Sequence, residues 1–182
     1  MTFKKWIFIA IFLFGIGIVF GIVEPDSIAN FFSEDLVALA ELAALLEPFT
    51  VTTVVFILLK NILALLVSFI FSPILCLMPV LALTVNGGLL SFVAGIVVEQ
   101  ESYGYVIAAL LPHGIIELPA LIIGEAASLS FGAAAVMSVI SEKRRRLLPP
   151  NLKENLRYLV IAGIMLVPAA IIETWITPLF LQ

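Results

Sequence analysis

The sequence is poor in the residues on which most chemistry rests. It has one cysteine and one histidine in 182 residues. A lone cysteine closes no disulfide within the chain, and one thiolate makes no zinc site. Cys76 lies inside an apolar run and reads as a small buried apolar side chain. A zinc protease of the His-Glu-x-x-His type needs a second histidine, and a Ser–His pair finds no further base beyond the single His113. Lys60 is the one lysine inside an apolar run and makes only a weak case for Ser–Lys chemistry. The chain therefore reads as non-enzymatic, with no catalytic residue, no metal and no cofactor. Charge is scarce too: charged residues make up 12%, against about 25% in soluble domains. The formal net charge of −4 argues against a nucleic-acid partner. No polar run is long enough for a second domain, so residues 1–182 read as one unit.

What the sequence has in excess is hydrocarbon. Hydrophobic residues make up 63% of it, and the mean hydropathy is +1.23. No soluble fold hides so much apolar surface in so short a chain. The class is an all-α polytopic transmembrane bundle. A helix crosses a bilayer core of about 30 Å with about 20 apolar residues, and five stretches qualify, at about 6–23, 50–71, 74–98, 113–139 and 156–178. The first is longer than the apolar core of a signal peptide and has no small-x-small cleavage site after it, so it is expected to stay as a helix. Between the first two, Ile28, Phe31, Phe32, Leu36, Leu39 and Leu42 recur at helical spacing among Glu34, Asp35 and Glu41. This predicts an acidic amphipathic helix at about 26–47, docked on the spans outside the membrane. The apolar stretch 103–138 is too long for one straight span. Pro112 is expected to break it, giving a proline-broken or re-entrant segment near 103–119.

Charge placement orients the map. With the N-terminus in the cytoplasm and the C-terminus outside, Lys4, Lys5, Lys143, Arg144, Arg145, Arg146, Lys153 and Arg157 all fall inside, as the positive-inside rule requires. The acidic segments 24–47 and 99–101 fall outside with no basic residue among them. The Lys143–Arg146 run reads first as the topology determinant and second as an anionic headgroup site.

Ionisable groups inside a membrane cost about 2.5–3.5 kcal/mol each on insertion scales and mark function or internal pairing. Here they are Lys60, Glu117 and Glu125, with Asn86 in the third span and His113 and Glu173 nearer an end. Lys60 is expected to pair with Glu125 or Glu117. His113 and Glu117 stand at i, i+4 and share a helix face. Gly124, Ser128 and Gly132 form a small-residue ridge for close packing, within the bundle or against a second copy.

The stretch LLPHGIIELPALIIGEAASLSFG, Leu110 to Gly132, resembles the signature of the stage II sporulation protein M family in its core of Pro112, His113, Gly114, Glu117 and Pro119. NGGLLSFVAG, Asn86 to Gly95, is similar to the family as well. The likeness covers roughly residues 60–180. It implies an all-helical integral membrane protein of the cell membrane. The member that gives the family its name anchors two peptidoglycan-degrading partners, so the resemblance implies a membrane scaffold or anchor for partner proteins. The residues leave an alternative, a small-solute or ion permease using the intramembrane polar cluster. A cavity reaching Glu117 or Glu125 would favour the permease; polar groups fully paired and sealed would favour the scaffold. The expected partners are the lipid bilayer and either a membrane protein or a second copy of the chain.

Overall fold

The computed structural model of the chain describes residues 2–33, 37, 38, 41 and 46–181. Seven α-helices stand out among these residues: α1 (Phe3–Val23), α2 (Pro25–Phe31), α3 (Val51–Phe71), α4 (Leu77–Gln100), α5 (Tyr103–Ile140), α6 (Glu142–Arg145) and α7 (Leu148–Trp175). A 3₁₀ turn, Thr177–Phe180, follows α7. Five of them, α1, α3, α4, α5 and α7, are long and apolar enough to cross a membrane. The protein is an all-α polytopic membrane bundle.

Local chemistry sets the helix ends. Thr50 begins α3, its hydroxyl accepting from the Thr53 N–H at 3.3 Å. Ser102 does the same for α5 through Tyr105 at 3.2 Å. Each cap satisfies one of the backbone donors that a helix start leaves bare. Pro149 and Pro150 open α7 rather than only ending what precedes it, because the first turn needs no donor from them. The last crossing helix therefore starts earlier than the apolar run indicates.

The structure departs from the expected map at α5. Pro112 and Pro119 lie inside one continuous helix of 38 residues, with neither a break nor a re-entrant turn at 103–119. A proline removes one backbone bond. A break in lipid strands several donors and acceptors at once, so the intact helix is cheaper. At about 1.5 Å per residue α5 is near 57 Å long and overshoots the hydrocarbon core. The expected amphipathic helix at about 26–47 is described only in part: α2 forms, with Ile28 buried against α4 at Gly88, and residues 34–36, 39–40 and 42–45 lie outside the described residues.

The long helix α5 is the centre of the bundle. On one side α3 and α7 meet it through Leu65, Phe69, Ala120, Leu159, Ala162 and Leu166. On the other, α1 and α4 meet it through Ala10, Leu83, Ala126 and Leu129. Residues 124–130 of α5 are buried without interruption. In lipid such packing rests on van der Waals contact rather than on expulsion of water, so small residues that admit close approach matter most. A Cβ at Gly124 would press on Leu65, and one at Gly132 would run into the Ser72 carbonyl. The Gly124–Ser128–Gly132 ridge is thus spent inside the bundle. Gly132 receives the tight turn between α3 and α4, in which Leu75 and Cys76 take left-handed backbone angles, φ 51° and 57°.

A close, glycine-lined helix crossing lies elsewhere. Gly17 and Gly21 of α1 stand so near α4 that a Cβ on either would meet the backbone of Thr84 or Gly88, and Gly87 faces the Phe14 carbonyl in return. Ser91 adds a hydrogen bond to the Ile18 carbonyl at 3.0 Å. The order of these contacts makes α1 and α4 parallel. Contacts from α3 to α5 likewise run parallel, and α7 lies antiparallel to α5. The basic residues of α1, α6 and α7 therefore gather at one end, where Phe3 stacks on Tyr158 with ring centroids 3.5 Å apart. Glu24, Asp26, Glu99 and Glu101 mark the other, acidic end.

Candidate polar site within the bundle

Four helices contribute polar groups to one cavity. Lys60 and Asn61 come from α3, Asn86 from α4, His113 and Glu117 from α5, and Glu173 from α7. The cavity holds about 320 Å³, and Phe14, Leu90, Leu110 and Leu166 supply apolar wall between the polar groups. Gly114 also lines it, and outside its own turn of helix no atom comes within 4 Å of where its Cβ would stand. Such a space is in the range of small-molecule sites, which combine mostly apolar walls with a few convergent polar groups.

The side chains are held in a definite arrangement. Asn61 donates its amide N–H to Glu117 Oε1 at 3.0 Å. The other oxygen, Oε2, faces His113 Nε2 at 3.9 Å, too long for a hydrogen bond. His113 Nδ1 stands 3.2 Å from Thr177 Oγ1, in the turn after α7. One ligand-type atom each from His113, Glu117 and Glu173 lies within 4.8 Å of the others. Among the described residues Glu173 has no ion pair. Two carboxylates and an imidazole thus face a common space, with a lysine and two amides on the same walls. The arrangement can bind a cation or a small polar solute.

Glu125 belongs to a separate polar layer. It is 1% exposed and accepts from the Ser68 hydroxyl at 2.5 Å. The expected pairing of Lys60 with Glu125 or Glu117 does not form among the described residues. Other residues of α3 take the α5 carboxylates instead, Asn61 for Glu117 and Ser68 for Glu125. A serine or asparagine satisfies a carboxylate without burying a second charge, which is the less costly solution in a low dielectric. Lys60 stays exposed and lines the cavity. The cavity joins His113, Gly114, Glu117, Lys60 and Asn86, while Glu125 stands apart. Pro112 and Pro119 lie on the same helix outside the cavity lining. Glu173, Asn61 and Thr177 complete the site from the same chain. Asn61 carries a readable signal, an amide in an apolar span beside Lys60. Thr177 carries none, because its role depends on how α7 ends.

The comparisons with known proteins agree with this architecture. The sequence profile of the family described as stage II sporulation protein M matches residues 9–178. An uncharacterized protein of Methanocaldococcus jannaschii is 30% identical over 86 residues, which are 47% of this chain and 48% of the relative. A second uncharacterized protein of that organism is 34% identical over 110 residues, 59% of this chain and 50% of the relative. The chain spans about half the length of the curated relatives it matches. No solved structure matches it.

Proposed function

The chain belongs to the stage II sporulation protein M family, and from that premise we propose that it is a non-enzymatic multi-pass membrane protein that takes a small polar solute into its bundle, as a permease does. The observation that carries this reading is the cavity of about 320 Å³ lined by Lys60, Asn61, Asn86, His113, Glu117 and Glu173. A bundle built only as an anchor gains nothing from ionisable groups kept around an open space, each costing kilocalories in the membrane. The orientation that goes with it has the basic end in the cytoplasm and the acidic end outside. Solute then meets the cavity from the acidic side, where Glu173 and Thr177 stand near the end of α7.

Water access to the cavity is the test. In a Cys76→Ala background, Asn86→Cys and Ala64→Cys should react with a charged, membrane-impermeant thiol reagent in vesicles. Phe12→Cys, on the lipid-facing side of α1, should not. Cavity cysteines as inert as Phe12→Cys would refute the reading.

A second reading is a scaffold or anchor for partner proteins. A shallow apolar groove along the outer face of α7 favours it, lined by Leu152, Leu156, Val160 and Ile161 with Lys153 and Arg157 beside them. A partner helix or a second copy of the chain would lie there. Co-purification from native membranes that is lost in Leu156→Lys would support this role.

A further inference from the structure

We propose that His113, Glu117 and Glu173 form a binding site for a divalent transition-metal cation; this names the solute class for the cavity and rests on the reading of that cavity as a solute site. It runs against the sequence-based expectation of no metal. That expectation came from the count of histidines, whereas the third ligand here is Glu173, brought in from α7.

The geometry is that of a ligand set held open. Ligand atoms of the three residues lie within 4.8 Å of one another. A tetrahedral zinc with ligands at about 2.1 Å holds them about 3.4 Å apart, so closure by at most about 1.4 Å completes the set. Two of the three ligands are already oriented from behind. With its proton on Nδ1, His113 donates to Thr177 Oγ1 and leaves the Nε2 lone pair facing Glu117. Asn61 holds Glu117 Oε1 and leaves Oε2 free toward the same point. Outer hydrogen bonds of this kind fix tautomer and direction in metal sites. The donor set of one imidazole nitrogen and two carboxylate oxygens suits first-row divalent ions.

Charge supplies an independent argument. Two carboxylates balance the charge of one divalent ion within the ligand set itself, which lowers the cost of holding that ion in the membrane. Lys60, on the same cavity wall, makes no ion pair with either carboxylate among the described residues. The acidic end of the bundle carries Glu24, Asp26, Glu47, Glu99 and Glu101 with no lysine or arginine beside them. A surface of one sign concentrates counter-ions, and the three ligands lie toward that end. Remaining coordination positions open into the cavity, where water or a carried anion can occupy them.

The test uses Co²⁺ and Zn²⁺ on the purified full chain in lipid nanodiscs. The wild type should bind one Co²⁺ per chain with a visible ligand-field band, displaced by Zn²⁺. Glu173→Gln, which conserves shape, and His113→Ala should abolish saturable binding. Thr177→Val removes only the group behind the histidine and should weaken Zn²⁺ binding about 10–100-fold. Monodisperse elution of each variant establishes that it folds. Absence of saturable uptake by the wild type, or uptake unchanged in Glu173→Gln, overturns the metal site. If Asn86→Cys is still reached by the impermeant thiol reagent in that event, the solute cavity stands and only its metal falls.

Discussion

At the scale of single residues, the molecule places carboxylates in a membrane without pairing them to lysine. Glu125 shows how. It is almost fully buried, and the Ser68 hydroxyl donates to it at 2.5 Å. Removing one partner of a buried hydrogen bond costs about 1–3 kcal/mol, because the other keeps its desolvation penalty. Ser68→Ala should therefore lower thermal stability in detergent by that amount. Combining it with Glu125→Leu should recover part of the loss, since no polar group is then left unsatisfied. Losses that simply add would show that the pair is not coupled. The candidate residues His113, Glu117, Lys60, Asn86 and Glu125 were legible in the sequence because an ionisable or amide group among leucines is conspicuous. Their partners were not, since a helix rotated by one residue presents Lys60 rather than Asn61 to Glu117. Only packing fixes that rotation.

At the scale of helices, spacing and length were informative and the effect of proline was not. Pro112 reads as a break, yet α5 continues through it because a single lost backbone bond costs less than two exposed helix ends. The α1–α4 crossing is the sharper element-level result. Gly17 lies against the Thr84 carbonyl, whereas Gly15, half a turn away, has nothing within 4 Å of where its Cβ would stand. Gly17→Leu should push the helices apart and cut folded yield severely, overpacking of this kind costing about 1–3 kcal/mol or more. Gly15→Ala should be neutral or stabilise by about 0.5–1 kcal/mol, as alanine for glycine does in a helix. Elution profiles and melting of the two variants check this. Equal behaviour would mean that the crossing is not a tight contact.

At the scale of the whole molecule, the five crossing helices divide the charges, with eight of the nine basic residues at one end. In a Cys76→Ala background, Glu99→Cys and Arg145→Cys should label from opposite faces of sealed vesicles, with Arg145→Cys on the cytoplasmic side. Labelling of both from one face would overturn the topology.

The sequence by itself determined the class, the number of crossings and the separation of charge, because hydropathy over twenty residues and the cost of moving lysine or arginine through lipid are local, additive quantities. It also pointed to the stage II sporulation protein M family through Pro112, His113, Gly114, Glu117 and Pro119. The tertiary structure alone decided which polar groups share a space. Glu173 and Thr177 reach His113 across some sixty residues of chain because α7 runs antiparallel to α5 and ends level with His113, and helix rotation, helix register and the closeness of glycine contacts are properties of pairs of helices that no single stretch of sequence carries.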